Sequence, residues 1–360
     1  MGTLLLLQAA LGFPETPPCG SEHTSVRCFR VLEPSHALSN CTALEINPGV
    51  YSSEEVRQVA AELTWNTRLT CLRLLGYKFQ GAAVQPAGAR ALAKGLKKNA
   101  ALKVLDLSTF ANSIGVEGGT ALAKALEVNT ALTTLRLRGN QIGDDGVQAL
   151  SDALMNNTVL TTLDLSYMFT TISTIGARAL AEALKTNRAL AILDLTANRI
   201  GVEGTRALAQ ALKVNTGLRS LHLSSDMIGG AEGVRLLSDA LKSNSALTSL
   251  SLTCYACSQY PDTVTLGADG LRALSDAIKV NSALRTLDLS DNGCMYAMGD
   301  EGARALGEAL KVNQGLTVRM NEGPYFALNL LEYRAGRWRS SRIVDSHSAR
   351  PPPPPPPPQS

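Results

Sequence analysis

Leucines recur along this chain in the spacing L-x-x-L-x-L, beginning at Leu69, Leu102, Leu132, Leu160, Leu190, Leu218, Leu247 and Leu284. A weaker opening copy is Cys41-Leu44-Ile46, and a broken closing copy begins at Leu316. Successive starts lie 28 to 37 residues apart, a period that marks stacked supersecondary units. The alternation predicts a short strand with its leucines inward and the residues between them on the open face. The second half of each unit predicts a helix, as in Gly204 to Leu212, where Ala207, Leu208, Ala211 and Leu212 form one apolar stripe. Upstream, Ser53 to Leu63 reads as a first helix with Val56, Val59, Ala60 and Leu63 inward.

Two polar ladders accompany the leucines. An asparagine stands three residues before each strand start, at Asn66, Asn99, Asn129, Asn157, Asn187, Asn215, Asn244, Asn281 and Asn313. Asparagine tolerates the left-handed conformation that ends a helix, so these positions are expected to be helix stops. After the strand come Asn140, Asn198 and Asn292, with Asp226 in the same slot, where a short polar side chain can satisfy turn backbone. Both ladders read as structural.

These residues resemble the ribonuclease-inhibitor-like leucine-rich repeats. The phrase G-x-x-A-L-A-x-A-L-K-x-N-x-x-L-x-x-L-D-L, nearly literal at Gly176–Leu195, is similar to the C-terminal repeats of nucleotide-binding (NOD-like) immune receptors. The resemblance covers roughly residues 41–316. It implies an α/β solenoid, a horseshoe with a parallel β-sheet on the concave face and α-helices on the convex face. It also implies a protein-binding scaffold, with GTPase activation as in the Ran-activating repeat proteins, or a fragment of a NOD-like receptor, as alternatives. No G-x-x-x-x-G-K-[ST] phosphate loop is present, so a nucleotide-driven switch is not expected in this chain.

Length varies in one place only. From the glycine opening each helix pattern to the next strand's first leucine is 14 residues every time, as in Gly176 to Leu190. The insertions therefore fall between strand and helix. So do the aromatics Tyr77, Phe79, Phe110, Tyr167, Phe169, Tyr255, Tyr260 and Tyr296. Such loops stack along one rim, tolerate insertion and carry function, and rigid rings there either anchor a partner or plug their own longer loop against the solenoid.

The open sheet face offers a second candidate surface. The residue between the last two leucines of each strand runs Arg73, Asp106, Arg136, Asp164, Asp194, His222, Ser251, Asp288. Alternating signs are expected to pair across strands about 4.8 Å apart. Asp164 and Asp194 are adjacent like charges with His222 beside them, a place for a partner's basic side chain. His222 is the one histidine inside the array, and a flat sheet offers no evident oxyanion device, so no enzyme activity is expected. No cofactor is expected either.

Composition narrows the remaining classes. Aromatics are 4% of the 360 residues against 45% hydrophobic, so the core must be aliphatic. The net charge is +3, and residues 334–350 alone carry +4, which leaves a near-neutral body unsuited to nucleic acid. No apolar run reaches the roughly 20 residues of a membrane span. Met1 to Leu11 has a signal-like leucine run but no basic lead, the first charge being Glu15, so a cytoplasmic location is expected. Seven cysteines make no disulfide framework. Cys254-x-x-Cys257, with Cys294 in the next loop, lacks a fourth zinc ligand and reads as exposed thiols. The domains expected are an irregular lead-in at 1–35, the solenoid with its caps at 36–333 and a disordered basic and polyproline tail at 334–360. Pro351 to Pro358 could engage an SH3, WW or profilin-type groove.

Overall fold

Residues 42–46, 53–74, 84–108, 113–168, 171–224, 227–254, 266–290 and 299–320 are described by the computed structural model, with backbone alone at 27–29, 45–46, 299–300 and 343–344. Within them, strands follow one another in chain order across a single parallel sheet. They are β1 (Arg27–Phe29), β2 (Ala43–Ile46), β3 (Cys71–Leu74), β4 (Val104–Asp106), β5 (Thr134–Arg136) and β6 (Thr162–Asp164). The order continues with β7 (Ile192–Asp194), β8 (Ser220–Ser224), β9 (Ser249–Thr253), β10 (Thr286–Asp288), β11 (Thr317–Arg319) and β12 (Ile343–Val344).

The helices between β2 and β11 are α1 (Ser53–Leu63), α2 (Gln85–Leu96), α3 (Gly115–Leu126), α4 (Gly143–Asn156), α5 (Thr174–Thr186), α6 (Gly201–Val214), α7 (Gly230–Leu241), α8 (Gly267–Val280) and α9 (Gly299–Val312). Each lies beside its neighbours in sequence. This is the α/β leucine-rich-repeat solenoid that the leucine spacing predicts.

The middle leucine of each strand sets the register. Leu72, Leu105, Leu135, Leu163, Leu193, Leu221, Leu250 and Leu287 stand opposite one another in turn, and all are buried. A slip of one residue would turn this row to solvent, so the register is strongly specified. The core is one unbroken aliphatic column from Leu44 to Met320. Val56, Val59, Ala60 and Leu63 of α1 are buried as expected. In α6 the stripe is rotated slightly: Ala209 is buried with Leu208, Ala211 and Leu212, while Ala207 sits at the border.

The first asparagine ladder stands at helix ends as expected, at Asn157, Asn187, Asn215 and Asn281, but without the left-handed conformation expected of it. Asn157, Asn187, Asn215 and Asn281 have φ from −67° to −79° and ψ from 118° to 129°, which is extended rather than left-handed backbone. Their role is hydrogen bonding. Asn187 Nδ2 donates to Leu154 O at 2.7 Å and Asn157 O at 2.9 Å, while its Oδ1 accepts from Ala189 N and Leu190 N at 3.0 and 2.8 Å. One side chain thus closes the carbonyls of the preceding unit and the amides of its own strand entry. The second ladder performs as expected: Asn198 Nδ2 donates to Leu165 O and Leu195 O. Asp226 and Asn292 lie outside the described residues.

The repeating glycine also has another task than opening the helix. Helix α6 begins at Gly201, whose φ is +68°, and Gly204 lies one turn inside it. A Cβ on Gly204 would stand 2.9 Å from the Ala177 Cβ and 2.6 Å from Ile200 Cγ2. Here glycine lets adjacent helices touch.

The sheet crosses both expected boundaries. Arg27–Phe29, inside the expected lead-in, pairs with β2, and Ile343–Val344, inside the expected tail, pairs with β11. Pro351 to Pro358 lie outside the described residues, and no described helix is long and apolar enough to cross a membrane.

Candidate functional site on the sheet face

The residues between the leucines follow one another in the order expected, with Arg73, Asp106 and Ser251 buried and the others half-buried. Arg73, Asp106, Arg136, Asp164, Asp194, His222, Ser251 and Asp288 are consecutive partners in register. Glu45 opposes Arg73 at one end, and Arg319 opposes Asp288 at the other. The charges fall into two zones. In the first, Asp106 lies between two arginines, with Arg73 Nε and Arg136 Nη1 each 3.6 Å from its Oδ2. The expected cross-strand pairing therefore holds there.

In the second zone like charges meet. Asp164 and Asp194 are register partners on β6 and β7. Burial pushes the Asp164 carboxyl up from 3.8 to about 7, and the neighbouring Asp194 charge adds to the rise. Opposing it are hydrogen bonds from Ser166, whose N–H and hydroxyl donate to Asp164 Oδ1 at 2.9 and 2.6 Å, and the charge of Arg138. Asp194 Oδ1 accepts from Thr196 N at 2.9 Å. Both carboxyls are half-buried, so a partner's side chain can reach them.

His222 is next in the row. Its Nε2 lies 2.8 Å from Ser220 Oγ, and Asp194 is its register partner. The residue types are those of a hydrolytic triad, but Asp194 Oδ1 is engaged by the Thr196 amide rather than by the imidazole.

Of the loop aromatics, Tyr167 alone is among the described residues. Tyr77, Phe79, Phe110, Phe169, Tyr255, Tyr260 and Tyr296 lie outside them. Tyr167 follows the loop-plug reading rather than that of an exposed anchor: it is 7% exposed and its ring lies under Arg138, whose guanidinium carbon is 4.2 Å from the ring centroid. Its φ is +55°, in the turn slot held by Gly139 and Ala197 in neighbouring units. A bulky residue in that conformation is strained and persists only where packing holds it. The next residue, Met168, is buried where the neighbouring units carry Asn140 and Asn198. This turn, with a left-handed tyrosine and a methionine in the asparagine slot, adjoins the acidic pair.

The thiol reading of Cys254 is also corrected. Cys254 is buried and disulfide-bonded, as is Cys71. Among the described residues there is no cluster of histidine, cysteine and carboxylate side chains able to hold a metal ion.

Two surface features escaped the sequence. Arg138, in the strand-exit position beside Asp164, stands outside the position between the leucines and so carries no signal in that row. Trp65, 62% exposed, stands directly before the ladder residue Asn66, and the equivalent Val128, Val214, Val280 and Val312 are exposed as well. Their shared slot before each asparagine is the signal that could have found them.

Residues 128–151, 186–209 and 280–307 match the family described as Leucine Rich repeat. No curated protein sequence matches the chain. Among solved structures, the actin-binding site 2 of leiomodin-1 is similar, with 25% identity and a TM-score of 0.34 over 37% of this chain and 76% of that one. The tropomodulin C-terminal domain from Caenorhabditis elegans shows 20% identity and a TM-score of 0.34 over 47% of this chain and 93% of that one. Superpositions this loose carry no partner across to the present chain.

Proposed function

We propose that the chain is a non-enzymatic protein-binding scaffold whose partners are held on the concave sheet face between β5 and β8 and along the adjoining strand-to-helix rim. The observation that carries this reading is the side-by-side placement of Asp164 and Asp194, each half-buried, on neighbouring strands of the sheet. Two carboxylates fixed on neighbouring strands repel each other, and a basic side chain from a partner relieves that repulsion. The backbone beneath them is a rigid ladder, so little ordering is lost when a partner docks. The Ser220–His222 contact supports the same reading as a positioning hydrogen bond on a polar face.

At the rim, Phe169, Tyr255 and Tyr260 would supply anchors, with Tyr77, Phe79, Phe110 and Tyr296 in neighbouring units. The wording at Gly176–Leu195 favours the recognition role of immune-receptor repeats. Pro351 to Pro358 would add a separate element for an aromatic-lined groove of the SH3, WW or profilin type. Disulfide-bonded Cys71 and Cys254 fit an oxidising setting better than the cytoplasm expected from the N-terminal sequence.

Affinity purification with the intact chain tests the assignment, set beside two variants. One carries Asp164→Asn and Asp194→Asn, and the other carries Phe169→Ala, Tyr255→Ala and Tyr260→Ala. Partners recovered by the unaltered chain should fall by about tenfold with the sheet-face variant, the loss of a few part-buried charge pairs. Equal recovery of the same proteins by all three overturns the proposal.

A further inference from the structure

We infer that the concave face across β5, β6 and β7 takes an extended segment of a partner protein bearing an acidic side chain and, two residues away, a basic one. The inference rests on the binding role just proposed and names the chemistry of the occupant. The sheet face is charged in a fixed order. Arg136 and Arg138 leave β5 with a positive edge, and Asp164 and Asp194 follow as a negative pair on β6 and β7. A purely basic segment would meet Arg136 and Arg138 unfavourably, and a purely acidic one would meet the carboxylates. A segment carrying both signs satisfies both zones.

The spacing selects an extended chain. Strands lie about 4.8 Å apart, so the midpoint of the Asp164–Asp194 pair is about 7 Å from β5. Side chains two residues apart on an extended segment point the same way and are separated by about 6.6 Å. The acid then lies over Arg136 and Arg138 while the base lies between Asp164 and Asp194. Longer charge separations overshoot the pair.

The receiving groups are held in place. Arg138 lies on the Tyr167 ring, and Tyr167 is fixed in a left-handed turn with its N–H donating to Thr196 O at 2.8 Å. Asp164 is anchored by Ser166 and Asp194 by Thr196. Arg136 makes its ion pair to Asp106 at 3.6 Å, longer than a hydrogen bond, so a partner carboxylate can compete for its donors. The remaining group facing the pair is His222, which lies next to Ser220 Oγ on the side away from β5. The irregular turn at Tyr167 and Met168 thus has a use: its ring holds an arginine whose charge acts on the Asp164 carboxyl.

The test uses end-labelled nine-residue peptides titrated by anisotropy at low ionic strength against the intact chain. One set carries glutamate and arginine separated by one residue, in both orders. A second set separates them by three residues, and a third keeps arginine alone. The closely spaced pair in one of its orders should bind about fivefold tighter than either other set, the worth of one added part-exposed ion pair. Asp164→Asn with Asp194→Asn should abolish the arginine's contribution. Arg136→Gln should erase only the advantage of the glutamate, and Arg136→Lys should retain most of it, which separates a contact from a folding defect.

Tightest binding by the wider spacing, survival of the preference in the Asp164→Asn, Asp194→Asn and Arg136→Gln proteins, or no binding by any peptide overturns the inference. A chain that binds none of these peptides yet loses its cellular partners when the two carboxyls are altered loses this inference and keeps the broader binding role.

Discussion

Asp164 shows how much one carboxyl can be altered by its neighbours. Its folded value of about 7 lies above the 3.8 of an unperturbed aspartate, so the fold favours the protonated form. The stability it contributes is therefore complete below about pH 4 and is lost as pH rises towards 7. Asp164→Asn should leave stability unchanged near pH 4 and raise it by about 1–2 kcal/mol at pH 8, as read from urea unfolding at both values. Equal effects at the two pH values would contradict a shifted carboxyl. Asn187 is the counterpart on the structural side. Replacing it with alanine orphans two buried carbonyls and two strand-entry amides, and the expected loss is roughly 2–3 kcal/mol in the same assay. The position of Asn187 was legible in the sequence because the period fixes it. Its conformation was not: a propensity for left-handed backbone says nothing of carbonyls 30 residues earlier that only the stacked neighbour supplies.

At the level of the element, two glycines inside helices do opposite things. Gly204 faces α5 across a gap that a methyl group would close, so Gly204→Ala should destabilise by about 1–2 kcal/mol despite the better helix propensity of alanine. Gly307, inside α9, has no atom of the described residues within 4 Å of where a Cβ would stand, and Gly307→Ala should stabilise by about 0.5–1 kcal/mol. Thermal melts of the two variants check both signs together. The constant interval of 14 residues predicted a unit of fixed length, and within it the helices run from 11 residues in α1 to 14 in α6. The repeat could not say whether its glycine opened the helix or packed inside it, since both uses recur at the same period. Left-handed Gly143, Gly201 and Gly267 open their helices one turn earlier. Tyr167 illustrates the same difficulty from the loop side. Sequence placed it among the rim anchors by residue type, and the turn geometry instead lays its ring beneath Arg138.

Across the whole molecule, a nearest-neighbour stack makes the sheet face a single rigid ruler, on which charge order is fixed by repeat order. The fold was legible because leucine spacing, helix stripe and ladder asparagines all repeat together. The site was legible only in part, because its charges lie in one repeat-indexed row while Arg138 and Tyr167 enter from the strand exit, outside that row. Rising pH should also strengthen capture of a cationic partner between about pH 6 and 8, since binding favours the ionised Asp164. The most direct measurement is zero-length carbodiimide crosslinking of the intact chain to its captured partners, with the joined residues mapped by mass spectrometry. Partner lysines should be joined to Asp164 and Asp194 on the sheet face. Crosslinks confined to helix-face carboxylates such as Glu182, Asp239 and Glu308 would contradict a concave binding site.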